Sequence, residues 1–199
     1  MSPTGWILLA VLVVLVAILV ILVATQRRRR PGPRPTPADP FRDADTDTLR
    51  GDPRAIKPGD VVEVRGVSYA VRGSLHFSEG SWSWAEHLLD DAAGTKRWLS
   101  VEEDPDLEIA MWTEVKGATV VPGPGTVDFD GRRYNFDESG TARFTGIGTT
   151  GLNPAGTVAY QDYKAPDGAL LSFERYGDAD WELGRGELLT RYELRVYPC

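Results

Sequence analysis

The residue types that carry most enzyme chemistry are scarce in this chain. Two histidines, His76 and His87, and one cysteine, Cys199, are the whole stock of imidazole and thiol groups in 199 residues. Leu75-His76-Phe77 alternates in the manner of a strand, so His76 points away from its apolar neighbours and toward solvent. His87 reads as a packing or hydrogen-bonding position. The spacing of these two with the surrounding carboxylates matches no metal-ligand pattern, and Cys199 has no histidine near it in sequence. No metal, cofactor or catalytic nucleophile is expected, and the chain does not read as an enzyme.

What remains is acid and tryptophan. Glu102-Glu103-Asp104-Pro105-Asp106-Leu-Glu108 is the densest run of charge. Paired carboxylates of this kind can hold a cation or a polyamine, although a solvated loop broken by Pro105 is the plainer reading. Five of the six tryptophans (82, 84, 98, 112 and 181) fall after residue 57. Such side chains either supply core area or line a pocket or partner surface. The candidate ligand or partner surface is therefore Trp82, Trp84, Glu86, Trp98, Glu102, Trp112 and Trp181. Gly146 to Gly156 is glycine-rich but lacks the Lys-Ser/Thr pair of a phosphate-binding loop, and it reads as a loop over one end of the fold.

The elements that must position these residues are strands. Asp60-Val-Val-Glu-Val-Arg, Val67-Ser-Tyr-Ala-Val-Arg, Arg133-Tyr-Asn-Phe-Asp and Leu170-Leu-Ser-Phe-Glu-Arg-Tyr alternate apolar with polar residues, the period-two signature of half-buried strands. Turn signals recur at Arg65-Gly66, Asp130-Gly131, Ser139-Gly140 and Asp167-Gly168. The Trp82/Trp84 alternation favours a strand over two helical turns for residues 84–91. Val62-x-Val64-x-Gly66-x-x-Tyr69-x-Val71 is matched by Val127-x-Phe129-x-Gly131-x-x-Tyr134-x-Phe136. Trp84-x-Glu86-His87 has a counterpart in Tyr160-x-Asp162-Tyr163, and Leu99-Ser-Val-Glu102 in Leu171-Ser-Phe-Glu174. Three ordered matches point to duplication. The expected fold is all-β, an antiparallel barrel or sandwich of two similar half-units, about 57–121 and 122–198, within a domain spanning 57–199.

Ahead of that domain, Trp6 to Ala24 is an unbroken apolar run followed by Arg27, Arg28, Arg29 and Arg30. About 20 apolar residues suffice for a membrane-spanning helix, and flanking arginines stay on the cytoplasmic side. Residues 1–26 are thus expected to anchor the chain with its N-terminus outside, Trp6 at one interface and the four arginines at anionic headgroups. A cleaved signal peptide would carry its charge before a shorter run. Residues 27–56 read as a basic, then proline-rich linker. From residue 35 onward 17 basic residues face 29 acidic ones, a net −12, which argues against nucleic acid as a partner.

Gly59-Asp60-x-Val62-x-Val64-x-Gly66-x-x-Tyr69-x-Val71-x-Gly73-x-Leu75-x-Phe77-x-Glu79, then Trp82-x-Trp84-x-Glu86-His87-x-Leu89, then Trp98-Leu99-x-Val101-Glu102, resembles an uncharacterised bacterial family, domain of unknown function 4178. The resemblance covers about residues 57–198, and the anchor resembles that family's membrane-anchored actinobacterial members. It implies an envelope-associated accessory role and supplies no catalytic residues. Taken together, the sequence predicts a membrane-tethered cytoplasmic interaction module that binds a protein partner or small ligand. The alternative is a polyamine- or cation-binding module at the inner membrane surface.

Overall fold

The computed structural model describes residues 49–199. The expected membrane anchor, Trp6, Arg27, Arg28, Arg29, Arg30 and most of the linker lie outside the described residues. Among the described residues no helix is long and apolar enough to cross a membrane. The strand expectation is met: among the described residues eleven strands form one antiparallel sheet.

Strands β1 (Val61–Val64) and β2 (Val67–Glu79) are joined by Arg65-Gly66, with φ of 51° and 83°. Strands β6 (Thr126–Phe129) and β7 (Arg132–Gly148) are joined by Asp130-Gly131, with φ of 50° and 72°. Two consecutive left-handed residues are what a type I′ turn requires, and glycine at the second position takes that conformation without strain. Each long strand then carries a register shift against its next neighbour, between Val71 and Gly73 in one case and Phe136 and Glu138 in the other. These irregularities bend both strands, because a bulge raises local twist.

From β2 the chain runs through β3 (Trp82–Asp91), β4 (Lys96–Glu103) and β5 (Leu107–Glu114) as successive antiparallel neighbours. From β7 it repeats that order through β8 (Ala155–Lys164), β9 (Leu170–Tyr176) and β10 (Glu182–Leu189). The two runs meet twice. Strand β5 pairs with β10 over Ile109–Glu114, and β2 pairs with β7 over Gly73–Ser78. The sheet thereby curls into a partial ring. Strand β11 (Leu194–Tyr197) does not join the second run but pairs with β1. Ordered structure also begins ahead of residue 57, with a 3-10 turn at Pro53–Ala55 and a buried Ile56.

Alternation sorts side chains to the two faces of the curled sheet. One face carries two separate apolar clusters. The first holds Val62, Val71, Leu89, Leu99, Ile109 and Leu194, and the second Val127, Tyr134, Tyr163, Leu171 and Phe173. Leu89, Leu99 and Leu171 are fully buried, each stabilising the fold by about 1.5–3 kcal/mol relative to exposure. A third cluster, Leu75, Phe77, Ala142, Phe144 and Val158, fills the β2–β7 seam. His87 is buried as a packing residue, sharing a 2.8 Å hydrogen bond between Nδ1 and Ser74 Oγ. His76 is exposed, as its alternation implies.

Candidate functional site

The other face of β3, β4, β5, β8, β9 and β10 encloses a cavity of about 830 Å³. Its walls follow from alternation: Trp84 and Glu86 on β3, Trp98 and Ser100 on β4, and Trp112 on β5 project opposite to the core residues between them. Asp162, Ser172 and Glu174 do the same on β8 and β9. Trp98 and Trp112 are direct cross-strand partners and so share one wall. Trp112 Nε1 donates to Ser100 Oγ at 2.9 Å, which fixes the ring. Gly186 lies opposite Trp112 in the β5–β10 ladder, and a Cβ there would sit 2.5 Å from Trp112 Cε3. Glycine is what lets the indole lie flat on β10.

Across the cavity, Trp84 stacks on Phe77 with ring centroids 4.9 Å apart, and its other neighbour is the edge of Tyr160 at 5.7 Å. The Tyr160 hydroxyl donates to Glu79 Oε2 at 2.6 Å, while the Thr141 amide donates to Glu79 Oε1 at 3.1 Å. These bonds tie the end of β2 to the middles of β7 and β8 at the cavity edge. Trp82 is half exposed beside them.

Ten carboxyl groups and six aromatic rings line this space, and none of its lining residues is Lys, Arg or His. Electrostatics follow directly. Glu86, Asp162 and Glu174 are held deep in the wall, and loss of water drives all three carboxyls upward. For Glu86 the charge of Glu174 adds to that effect. Asp162 is pushed up to about 7 by burial, partly offset by the Ser172 hydroxyl and reinforced by the charge of Glu174. The Tyr176 hydroxyl donates to Glu174 Oε2 at 2.9 Å and restrains the rise there. Asp162 Oδ1 is buried with no hydrogen-bond partner. Glu102, Glu138 and Glu182, which are less buried, are also raised, again by burial first and neighbouring acids second.

Six of the seven candidate surface residues come together here: Trp82, Trp84, Glu86, Trp98, Glu102 and Trp112. Trp181 does not line the cavity. It packs against the second apolar cluster, under the Arg175 guanidinium at 4.8 Å. The acidic run 102–108 is no open loop but the tight turn between β4 and β5, in which Glu102 and Glu108 are cross-strand partners and both line the cavity with Asp104. The tryptophans at 84, 98 and 112 are half-buried wall residues, outside the fully buried core. The glycine-rich stretch forms the end of β7, a short loop and the start of β8.

Sequence reasoning missed Asp162, Glu174, Tyr160 and Glu138. A signal for two of them was present, since Tyr160-x-Asp162 was matched to Trp84-x-Glu86. That match holds against the following strands, where His87 pairs with Leu99 and Tyr163 with Leu171. Against β2 and β7 it is slipped by two residues, Val71 pairing with Leu89 but Phe136 with Tyr163.

Residues 57–191 match the family described as Domain of unknown function (DUF4178). The chain belongs to the DUF4178 family. It is 42% identical over 154 residues to an uncharacterised protein of Mycobacterium bovis, covering 74% of each chain. Uncharacterised proteins from two strains of Mycobacterium tuberculosis match with the same identity and coverage. No solved structure matches the chain. Within this DUF4178 domain the carboxylate-and-indole cavity is built by β3–β5 and β8–β10, and all of its lining residues fall inside the matched segment.

Proposed function

We infer that the cavity binds an elongated organic polycation, of which the linear polyamines are the natural chemical class. One observation carries the reading: ten carboxyls and six aromatic rings surround a space of about 830 Å³ with no basic side chain among its lining residues. Carboxylates attract ammonium groups, indole faces attract them again through the ring quadrupole, and the same faces accept the methylene stretches between charges. An anion would be repelled by the same carboxylates. The carboxyls are spread over eight strands and the turn between β4 and β5, and among the described residues no three acidic, His or Cys side chains are spaced to ligate one metal ion, so the charge is better suited to a ligand whose cations are spread along a chain.

The reading assigns binding and no catalytic step. It takes the polyamine alternative from the sequence as the specific form of the ligand-binding module expected there. The anchor expected in residues 1–26 would hold the domain on the cytoplasmic face of the membrane, and a C-terminal reporter active only in the cytoplasm tests that orientation by its signal. The matched turns at Arg65-Gly66 and Asp130-Gly131 and the matched register shifts support an origin by duplication, the two half-units completing one barrel-like ring.

Calorimetric titration of the full chain at pH 7.5 with spermidine, putrescine, Mg²⁺ and Ca²⁺ tests the assignment. Spermidine is expected to bind with Kd of about 1–100 µM, more tightly than putrescine and far more tightly than either metal. Absence of heat at millimolar spermidine, or equal binding by a chain carrying Glu86→Gln and Glu174→Gln, would remove the reading.

A further inference from the structure

We propose that the cavity is a proton-exchanging site: cation entry displaces protons from the inner carboxyls Glu86, Asp162 and Glu174, so that acidification releases the ligand. The inference rests on the polycation reading above and adds its regulation. Its basis is geometric. The three carboxyls come from β3, β8 and β9 and line one cavity. Asp162 Oδ1 has no hydrogen-bond partner, although it is buried. A buried carboxylate oxygen left without a partner is unfavourable even with the Ser172 hydroxyl beside the group, and the ligand-free site relieves this by retaining protons.

The groups facing this trio do not offer another remedy. Strand β2 contributes Glu79, β4 Glu102, and β5 Glu108 and Glu114. Strand β7 adds Glu138, with Asp137 nearby, and β10 adds Glu182. Asp104 adds a further carboxyl from the turn between β4 and β5, and the neighbouring phenols are Tyr160, Tyr163 and Tyr176; those of Tyr160 and Tyr176 stay neutral because burial, and then the adjoining carboxyls, push them upward. Every other charge that the trio meets is therefore negative. With Asp162 pushed up to about 7, the empty cavity is partly protonated at neutral pH. An ammonium group entering the trio replaces a proton as the neutralising charge, and each carboxyl so converted gives one proton to solvent. Below that value each participating carboxyl makes binding about tenfold weaker per pH unit.

The experiment is titration calorimetry of the full chain with spermidine from pH 5.5 to 7.5, in buffers of different ionisation enthalpy. Over this range the ligand's terminal amines remain protonated, so proton release reports the protein. The expected result is release of about one proton or more per spermidine at pH 6.5, with affinity falling at least tenfold from pH 7.5 to 5.5. Asp162→Asn should flatten that profile and reduce the proton count, and Glu174→Gln serves the same purpose should the first variant fail to fold. Binding that persists without proton release, or with a flat pH profile, overturns the exchange while leaving the polycation reading intact. No binding at any pH overturns both.

Discussion

Replacing Asp162 with asparagine should make the ligand-free protein more stable at pH 8 and leave it nearly unchanged at pH 4. The carboxyl has an ordinary value of 3.8 and is raised to about 7 in the folded chain, by burial first and the charge of Glu174 among the rest. Between those values the folded form holds a proton that the unfolded form has lost. Stability therefore falls as pH rises through this window, and the full penalty stands above pH 7. At about 1.4 kcal/mol per pH unit the penalty reaches at most about 4 kcal/mol. Solvent reaching this half-buried wall position reduces what asparagine recovers, to about 1–3 kcal/mol. For a folded domain of this size that corresponds to about 2–4 °C in Tm per kcal/mol. Thermal unfolding of the full chain at pH 4, 6 and 8 measures it. A loss of stability at pH 8, or a gain of equal size at every pH, would refute the electrostatic account of the cavity.

Trp98→Ala should weaken spermidine binding by about tenfold, the scale of a desolvated cation–π contact, with the circular dichroism spectrum unchanged; equal affinity would show the indole wall to be idle. Gly186→Ala should force Trp112 off β10 and cost about 1–3 kcal/mol by overpacking, read as a lower Tm together with shifted tryptophan emission. The His87 ring, whose titration is lowered to about 4 by burial first and then by His76, should stay neutral at pH 5 in NMR titration. A folded-state depression of this kind removes stability as pH falls from about 6.5 toward 4, so Ser74→Ala should lower stability while leaving that acid-side slope in place.

Much of the fold could be read from residues 61–197, because alternation and paired turn dipeptides are local signals. Arg65-Gly66 and Asp130-Gly131 declared the two hairpins, and Val62/Val127 through Val71/Phe136 declared their likeness. The register shifts beyond Val71 and Phe136 were not visible, since a bulge is a property of the pair of strands and neither sequence alone marks it. The cavity was only half legible. A polar residue opposite a core position looks the same whether it meets bulk water or a cavity, so nothing in the sequence set Ser100, Ser172 and Glu174 apart from solvent-facing residues. The size of Trp84 and Trp98 suited a core as well as a pocket wall, and the 102–108 run read as a loop by its charge. Asp162 and Glu174 lie twelve residues apart and meet only because β8 and β9 are antiparallel neighbours carrying both on one face.

The most direct measurement of the central claim is a crystal structure of the full chain grown with spermidine near pH 8. The account predicts continuous ligand density along Trp84, Trp98 and Trp112, with an amine among Glu86, Asp162 and Glu174. A cavity containing only water, with spermidine on the outer surface or nowhere, would contradict it.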